Sequence, residues 1–390
     1  MPQQLAYVII TPYSLHKSRT GGILTRLITR TGCELVAARM FAPSAELVKK
    51  YSEETISAND PQDRRIQEHI YNYIMRNLSP DPKTGRRRRI MMLLFQGEDA
   101  VRRTRSVVGN IGPDRRGGES IRDTYGDLFV DDNNELRYFE PAVLASPTLE
   151  EAESKLKLWA HYSDTDGGVL QDVIAYQPGE NSQRTLVLIK PENFRFPTGR
   201  PGNMIDFFSR TGLFIVGVKV HRMSVAQAVD FYGPVRETLR TKLKDVVAAK
   251  AKTAIEKELG FKVGREQEQQ LGDILGPSFG DNQFENIVRF MSGRAPSECP
   301  PGEENKPGSE KCIALVYEGV GAVGKIRDVL GPTDPSKAPP GSIRREFGQT
   351  IMVNAAHASD SEDNARREMG IVNVGENNFR QVVERFYGKA

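Results

Sequence analysis

The segment NAAHASDSE, which runs from Asn354 to Glu362, contains the residues of this chain best suited to covalent chemistry. Neutral imidazole is a good nucleophile near pH 7, because a large fraction of histidine is unprotonated there. A nucleophilic side chain can accept a phosphoryl group and pass it on, which divides one transfer into two easier steps. Ser359 and Glu362 have the spacing of a capping box, which predicts a helix that begins just after His357. The positive end of that helix would help to hold a phosphate near the imidazole.

An internal repeat indicates which elements position this histidine. AYVIITPYSLHKSRTGGILTRLITRTGCELVAARMF, from Ala6, aligns with TLVLIKPENFRFPTGRPGNMIDFFSRTGLFIVGVKV, from Thr185. Each segment has an apolar run that ends at a proline, a polar loop, an amphipathic stretch that ends in Arg-Thr-Gly, and a second apolar run. This pattern predicts strand, loop, helix with a glycine at its end, and strand. Further along, Arg105 aligns with Arg327, and Arg122 aligns with Arg344.

The repeat is the size of a domain and predicts an α+β fold of two tandem copies. The first copy covers 1–160, a linker rich in Gly, Asp and Gln covers 161–183, and the second copy covers 184–390. Each copy alternates strands and helices, which is consistent with a ferredoxin-like βαββαβ unit. The second copy contains a charged, helix-prone insertion at about 240–281. We interpret it as a solvated helical hairpin, with a subunit contact as the alternative.

The stretch 317–368 resembles the nucleoside diphosphate kinase family. The similarity is carried by Glu-Gly before a helix, by Arg-x-x-x-Gly-x-Thr-Asp-Pro, by Pro-Gly-Ser-Ile-Arg, and above all by Asn-x-x-His-x-Ser-Asp-Ser. The strand TLVLIKP is also similar to the first strand of the family, including its lysine. The resemblance implies ping-pong transfer of the γ-phosphate of a nucleoside triphosphate such as ATP to a nucleoside diphosphate. It also implies Mg²⁺ bound to the substrate phosphates, which is how Mg²⁺ commonly enters such sites.

The resemblance also implies a role for each matched residue. The phosphohistidine forms at His357, which Glu368 orients, and Ser359 and Tyr232 belong to the same catalytic group. Phosphoryl transfer depends on positioning and on stabilising charge, and arginine binds phosphate well because its planar fork is bidentate. The residues that resemble the nucleotide-binding set are Arg327, Arg344 and Thr333 for the phosphates, Lys190 and Asn354 for the ribose and phosphates, and Phe284 and Ile351 for the base.

Two features depart from the family pattern. Ala358 replaces the glycine that usually follows the histidine, and the insertion lies where the family has a helical hairpin that closes over the nucleotide. Closure, and with it the affinity for nucleotide, is therefore expected to differ. A base that is held by stacking rather than by hydrogen bonds to its edge implies low selectivity among nucleotides.

The first copy lacks most of the reactive residues. At the aligned positions Thr11 replaces the lysine, Pro141 the asparagine, Leu144 the histidine and Lys155 the glutamate, while Ile111 replaces the threonine. A leucine side chain cannot accept a phosphoryl group, so the first copy is expected to be inactive. Family enzymes assemble from dimers, and a tandem chain could supply both halves of one dimer. A homo-oligomer, such as a trimer of tandem chains that resembles a hexamer, is the corresponding hypothesis.

A different class of function also fits the repeat, namely a non-catalytic nucleotide-binding or scaffold protein. The intact set of reactive residues in the second copy argues against it, because a scaffold does not need the histidine beside the arginines. The run GVGAVGK from Gly319 matches both a dinucleotide-binding motif and a P-loop. We reject the P-loop because Ile326 stands where a hydroxyl should bind Mg²⁺. We reject the dinucleotide motif because it lies well inside a repeat whose first copy has Gln96-Gly97-Glu98-Asp99 instead.

The composition excludes several other classes. The 390-residue chain has a formal net charge of only +3, which is too small to indicate nucleic acid or a membrane surface as a partner. Four consecutive arginines at 86–89 precede an apolar run, and we favour a solvated loop over a phosphate or nucleic-acid contact because no aromatic residues accompany them. No segment reaches the apolar length of a membrane span, and no four close ligands predict a metal site. A cytoplasmic protein is the expectation.

Overall fold

The computed structural model describes residues 3–57, 64–111, 118–133 and 136–389. The elements of the first copy are β1 (Gln3–Ile10), α1 (Pro12–His16), α2 (Thr20–Arg30), β2 (Glu34–Phe41), α3 (Ala45–Glu53), α4 (Arg64–Asn77), β3 (Ile90–Glu98), α5 (Ala100–Val108), α6 (Ile121–Tyr125), β4 (Asp127–Val130), β5 (Leu136–Glu140), β6 (Val143–Leu144) and α7 (Leu149–His161). Those of the second copy are β7 (Ser182–Ile189), α8 (Arg200–Ser209), β8 (Phe214–His221), α9 (Val225–Lys242), α10 (Lys244–Leu259), α11 (Arg265–Ser292), β9 (Cys312–Val320), α12 (Ala322–Leu330), α13 (Ile343–Phe347), β10 (Ala356–Ala358), α14 (Glu362–Val372) and α15 (Asn378–Tyr387).

Both copies have the ferredoxin-like sheet that the repeat predicts. The strand order is β2-β3-β1-β6 in the first copy and β10-β7-β9-β8 in the second. In each sheet the first strand lies between the third and the fourth, and the second strand lies at an edge. Six of the eight residues of β1 and five of the eight residues of β7 are buried, which explains why both strands contain continuous apolar runs. The predicted fold class is confirmed. The first copy additionally has the two-stranded sheet β4-β5.

Glycines occur where the backbone must turn into the left-handed region. The Arg-Thr-Gly ends of α2 and α8 place Gly32 at φ +64° and Gly212 at φ +70°. The glycine-rich run before α12 has the same role, because Gly321 lies at φ +66° at the start of that helix. Asp99 adopts φ +51° at the equivalent position before α5. The run is therefore a turn that the fold requires in both copies, which agrees with rejecting the two phosphate-binding motifs.

The chain divides into two compact units that do not follow the repeat. One unit contains the residues up to Val220 together with those from Ile313 onwards, and the other is His221–Cys312. The first unit therefore includes the whole first copy and most of the second copy. The boundaries 1–160, 161–183 and 184–390 describe the sequence repeat, and as domain boundaries they stay a prediction.

Within the first unit, the two copies meet at helices α2 and α8. A side-chain carbon added at Gly21 would lie 2.2 Å from the carbonyl oxygen of Gly202, and one added at Gly202 would lie 2.2 Å from the carbonyl oxygen of Gly21. Only glycine permits this approach of two backbones. The Thr25 hydroxyl also donates to the carbonyl of Gly199 at 3.1 Å. The two copies are thus in direct contact through one close helix pair.

The linker joins the edge strands of the two sheets. The Ala42 amide donates to the carbonyl of Asp166 at 2.7 Å, and the Gly168 amide donates to the carbonyl of Met40 at 2.9 Å. Two residues further on, the Leu170 amide donates to the carbonyl of Val216 at 2.8 Å. The linker thereby supplies hydrogen-bond partners to backbone groups of both edge strands, β2 and β8, which an edge position would otherwise leave unpaired.

Two arginines of the run at 86–89 form contacts with other parts of the chain that the sequence did not indicate. Arg89 donates to the carbonyl of Ile215 at 2.6 Å and lies over the ring of Phe214 at 5.0 Å from its centroid. Burial lowers the pKa of Arg89 to about 10. Arg87 pairs with the buried carboxylate of Asp166 at 3.0 Å. The expectation of a solvated position is therefore wrong for Arg89, which contacts the second copy, whereas Arg87 is exposed and contacts the linker.

The last helix of the chain completes the core of the first copy. Phe379 and Val383 of α15 are fully buried in the cluster formed by β1, β2, β3, α3, α4 and α7. The ring of Phe379 meets that of Phe41 edge-on at 5.4 Å, and Phe41 in turn meets Trp159 at 5.0 Å. The Tyr387 hydroxyl donates to the carbonyl of Leu5 at 3.1 Å. The second copy thus ends inside the hydrophobic core of the first.

The second unit consists mainly of helices α9, α10 and α11. The predicted insertion at about 240–281 spans the end of α9, all of α10 and much of α11. Gly276 and Gly280 of α11 lie against Lys244 and Arg240, which allows close packing of the helices. In the part of the chain that the structure describes, no helix is long and apolar enough to cross a membrane.

We expect Phe379→Ala to lower the free energy of unfolding by about 3–5 kcal/mol, because the change leaves a cavity in the core of the first copy. Chemical denaturation followed by circular dichroism measures this loss. Phe196 is 74% exposed, so the control Phe196→Ala should change stability by no more than about 0.5 kcal/mol. Equal stability of the two variants would contradict the described position of α15.

Candidate active site

His357 lies on the short strand β10, which pairs antiparallel with the central strand β7. In this pairing His357 is opposite Leu188, and its neighbours Ala356 and Ala358 are opposite Ile189 and Val187. The flanking alanines are buried while the histidine side chain is 23% exposed. The strand therefore holds the imidazole at the surface of a well-packed sheet edge.

The imidazole of His357 forms a chain of hydrogen bonds with two other predicted catalytic residues. Its Nε2 lies 2.9 Å from Oε2 of Glu368, and the Ser359 hydroxyl donates to the same oxygen at 2.5 Å. Both Glu368 and Ser359 are buried. An ionised carboxylate only accepts hydrogen bonds, so this contact assigns the ring proton to Nε2 and leaves the lone pair on Nδ1. Arg367 adds a longer contact, at 3.7 Å from Oε1 of Glu368.

The prediction that Ser359 and Glu362 form the capping box of the helix after His357 is wrong. Helix α14 begins at Glu362, and its cap is Ser361, whose hydroxyl accepts from the Asn364 amide at 3.1 Å. Ser359, the first residue after β10, instead donates its hydroxyl to the Glu368 carboxylate. Helix α14 still begins close to His357, as predicted, and the acidic residues of its first turn are favourable near the helix dipole.

Lys190 and Asn354 form a buried pair beside the histidine strand. The Lys190 ammonium donates to Oδ1 of Asn354 at 2.8 Å and to the carbonyl of Met352 at 2.9 Å. Lys190 is 7% exposed. Burial is the main reason that its pKa is lowered to about 8; Glu192 opposes this shift and the charge of Arg344 adds to it. The lysine is therefore close to losing its charge at mildly alkaline pH.

Two residues that the sequence did not single out fix the backbone just before His357. The Ala355 amide donates to Oε1 of Glu192 at 2.9 Å, and Asn193 Nδ2 donates to the Ala355 carbonyl at 2.8 Å. Ala355 adopts φ +73°, a left-handed conformation that alanine rarely takes. Glu192 and Asn193 follow Lys190-Pro191 directly in the sequence. Polar residues immediately after the strand lysine were the only available signal.

The two arginines have different environments. Arg344 donates to the carbonyl of Gly331 at 2.9 Å and to that of Ala356 at 3.1 Å, so its guanidinium is fixed beside the histidine strand. Arg327 is exposed on α12, and its charge contributes, after the Asn364 hydrogen bond, to lowering the pKa of Asp360. The structure thus brings both arginines near the segment that contains His357.

The remaining predicted residues fall into two groups. The carbonyls of Thr333 and Ile351 both accept from Asn354 Nδ2, at 3.1 and 2.9 Å. Both residues are exposed, and Ile351 is 63% exposed. Tyr232 of α9 and Phe284 of α11 are buried in the second unit, His221–Cys312. Their predicted roles beside the histidine and the base stay predictions.

The first copy has the same backbone at the equivalent site, with different side chains. Leu144 pairs with Ile9 in the register that His357 uses with Leu188. Lys155, at the position of Glu368, forms an ion pair with Glu151. Glu140 accepts from the Thr11 hydroxyl at 3.0 Å, so a carboxylate contacts the residue that replaces Lys190. The position of His357 therefore has no nucleophile, and the position of Lys190 has no ammonium.

Among residues 3–57, 64–111, 118–133 and 136–389, no group of three or more His, Cys, Asp or Glu side chains is arranged so that it could hold a metal ion. The Mg²⁺ that the sequence predicts on the substrate phosphates stays a prediction.

The chain matches a known family model. The model described as nucleoside diphosphate kinase matches residues 4–164 and 305–376. The nucleoside diphosphate kinase of Campylobacter hominis is 30% identical over 193 residues, which are 50% of this chain and 96% of that protein. The nucleoside diphosphate kinase of Staphylothermus marinus is 28% identical over 192 residues, which are 49% of this chain and 93% of that protein.

Solved structures with similarity to this chain have related descriptions. The Aquifex aeolicus nucleoside diphosphate kinase is 26% identical and has a TM-score of 0.30, with 49% of this chain and 95% of that chain covered. An NDP kinase from Pyrobaculum aerophilum is also 26% identical, with a TM-score of 0.31 and the same coverage of both chains.

We expect Glu192→Ala to destabilise the protein by about 1–3 kcal/mol, because the buried Ala355 amide loses its acceptor. Glu192→Gln keeps an oxygen at the end of a side chain of the same length, so it should destabilise the protein less than Glu192→Ala. Urea unfolding of both variants and of the wild type measures the difference. If Glu192→Ala were as stable as the wild type, the side chain would not be needed to hold the left-handed residue.

Proposed function

Because this chain belongs to the nucleoside diphosphate kinase family, we propose that its second copy transfers the γ-phosphate of a nucleoside triphosphate, such as ATP, to a nucleoside diphosphate. The reaction is ping-pong and passes through a phosphohistidine at His357. The observation that supports this proposal most directly is the hydrogen-bonded chain from the His357 imidazole through Glu368 to Ser359. A nucleophilic side chain is activated when an adjacent group orients it, and here the buried Glu368 carboxylate orients the imidazole through one of its two nitrogens.

In the first half-reaction, Nδ1 of His357 attacks the γ-phosphorus. A nitrogen–phosphorus bond forms while the bond from that phosphorus to the β–γ bridging oxygen breaks, and the nucleoside diphosphate leaves with the electron pair. In the second half-reaction, a terminal phosphate oxygen of a second nucleoside diphosphate attacks the same phosphorus, and the electron pair returns to Nδ1. The positive charge that develops on the imidazole is stabilised by Glu368, as in other carboxylate–histidine pairs.

The other residues of the proposed site position the substrate and stabilise charge. Lys190, Arg327 and Arg344 are cations, and such groups stabilise the charge spread over the transferring phosphoryl oxygens. Thr333 and Asn354 are proposed to contact the phosphates and ribose. Mg²⁺ is proposed to enter with the nucleotide and to neutralise its phosphates. Phe284 and Ile351 are proposed to bind the base, and Tyr232 is proposed to belong to the catalytic group.

We propose that the first copy is catalytically inactive, because Leu144 and Lys155 occupy the positions of the nucleophile and of its carboxylate partner. A trimer of tandem chains that resembles a hexamer also remains a proposal, supported by the direct packing of α2 on α8. Location in the cytoplasm is likewise a prediction from the sequence.

We expect ATP labelled at the γ-phosphate to leave an acid-labile label on the wild-type protein, and no such label on His357→Ala. Phosphotransfer should fall by about a thousandfold or more, as when a nucleophile is removed from other enzymes. His161→Ala is a suitable control, because it removes an exposed histidine at the end of α7. Acid-labile label retained on His357→Ala would exclude His357 as the acceptor. Nucleotide binding without label on the wild type would favour a scaffold function.

The pKa of Lys190, about 8, predicts a pH dependence. Below this pH the side chain is charged and can attract the nucleotide phosphates, and as pH rises through this value the charge is lost. We therefore expect kcat/KM to decrease from about pH 7 to about pH 9.5. Lys190→Met, which has no charge to lose, should have a low kcat/KM that does not show this step. A wild-type profile that is flat across the range would contradict the assigned role of the ammonium.

A further inference from the structure

Arg39, a buried residue of the first copy, contacts both the linker and the carboxyl-terminal segment of the second copy. It is 4% exposed. Its Nε donates to the carbonyl of Ser163 at 3.1 Å, and a terminal nitrogen donates to that of Gly167 at 3.3 Å. The other terminal nitrogen donates to the carbonyls of Glu376 at 3.1 Å and Gly375 at 3.4 Å. One guanidinium thus contacts four backbone carbonyls in two separate stretches of chain.

Lys219, on strand β8, contacts residues between the end of α14 and Glu376. Its ammonium donates to the carbonyls of Val372 at 2.9 Å and Asn373 at 3.0 Å, and it pairs with the Glu376 carboxylate at 2.6 Å. Lys219 is 2% exposed. A cation at the carboxyl-terminal end of a helix is favourable, because the last carbonyls of the helix lack partners within it. These contacts fix the end of α14.

Helix α14 contains Glu368, four residues before its last residue, Val372. Because a helix this short is stiff, a shift at its end also shifts the carboxylate that contacts His357. The segment that follows is anchored again at Asn377, which donates to the Ser163 hydroxyl at 2.7 Å and to the Asp164 carboxylate at 2.6 Å. The chain then enters α15 and the core of the first copy.

We propose that Arg39 and Lys219 are positioning residues for the reaction at His357. They anchor α14 to the first copy and to β8, so that the Glu368 carboxylate stays within hydrogen-bond distance of the imidazole. The inactive copy then contributes to catalysis through Arg39, although it contains no nucleophile. This inference rests on the proposed function, because it concerns the geometry of the same site.

The two residues are expected to affect turnover more than nucleotide binding. The hydrogen bonds described above for Arg39 and Lys219 are to backbone carbonyls of 163–167 and 372–376 and to the Glu376 carboxylate, whereas those described for Lys190 and Arg344 are to other groups. A looser α14 would let Glu368 move away from His357, and small displacements of a catalytic group can reduce rates by up to about a hundredfold. The expected result is therefore a lower kcat with little change in KM.

The experiment compares Arg39→Met with a matched control, Arg89→Met. Arg89 is also an arginine of the first copy that bonds a carbonyl of the second, that of Ile215 at 2.6 Å, but it does not contact the segment after α14. Each full-length variant is assayed for kcat and KM with ATP and a nucleoside diphosphate. Hydrogen–deuterium exchange is then measured at the amides of α14 without substrate.

We expect Arg39→Met to lower kcat by about tenfold or more, to change KM by less than about twofold, and to accelerate exchange in α14. Arg89→Met should do neither. Wild-type kcat in Arg39→Met would overturn the proposal, whether or not exchange changes. An equal loss of kcat in Arg89→Met would also overturn it, because the loss would then reflect general loosening between the copies.

A second variant keeps the test decisive if Arg39→Met does not fold. Asn377→Asp retains the side-chain oxygen that accepts from the Arg380 amide, but it replaces the donor to Asp164 with a repelling oxygen. The same loss of kcat and the same faster exchange in α14 are expected, and their absence would refute the proposal. If the wild-type protein transfers no phosphate, the proposed function fails, whereas the exchange measurement still reports whether these anchors hold the helix.

Discussion

The proposed site depends on one strained residue being held from both sides. Ala355 adopts φ +73° immediately before β10, a conformation that costs an L-residue about 1–2 kcal/mol. Its amide is bonded by Glu192, and its carbonyl by Asn193 and the Lys190 amide. Strained residues persist where several contacts fix them together. This turn determines that β10 pairs with β7 in the register that presents His357.

The first copy has the same turn although it lacks the histidine. Features that the two copies share are therefore explained by the fold, and features that differ between them concern the chemistry. Ala142 adopts φ +60°, its amide donates to Glu140, and its carbonyl accepts from Ser14. Arg122 also repeats the contacts of Arg344, donating to the carbonyls of Gly109 and Val143. These backbone contacts give a structural reason for this arginine in a copy that lacks the histidine. The chemical difference lies in the residues that changed, above all Leu144 in place of the histidine.

The first copy and most of the second copy are mutually dependent parts of one compact unit. The core of the first copy is completed by α15 of the second, and the linker satisfies backbone groups of both edge strands. Buried cations that bond to backbone carbonyls, such as Arg39 and Lys219, connect these parts through polar contacts. Buried charges of this kind are costly unless their donors are satisfied, so each one fixes the segments that it contacts. This dependence gives a physical reason for the first copy to remain well folded although it lacks the histidine.

The sequence alone determined the elements and the chemistry of single positions. Two ferredoxin-like copies were predicted from continuous apolar runs, from glycines at helix ends, and from the repetition of these features in the same order. Such signals are local and periodic, so they can be read from the sequence. The signature around His357 and its loss at Leu144 were also readable, because the reactivity of a side chain depends first on its type. The match to Glu368 came from family resemblance, since residues eleven positions apart on a strand and a helix have no fixed geometry.

The tertiary structure decided which distant groups meet. It brought Glu368 to 2.9 Å from the imidazole, assigned Ser361 rather than Ser359 as the helix cap, and gave Arg89 a partner in the second copy. It also gave Glu192 and Arg39 structural roles that no local pattern indicates. The physical reason is that a hydrogen bond needs a specific distance and angle. Between residues far apart in sequence, these are set by how helices and strands pack, which the local pattern of residue types does not specify.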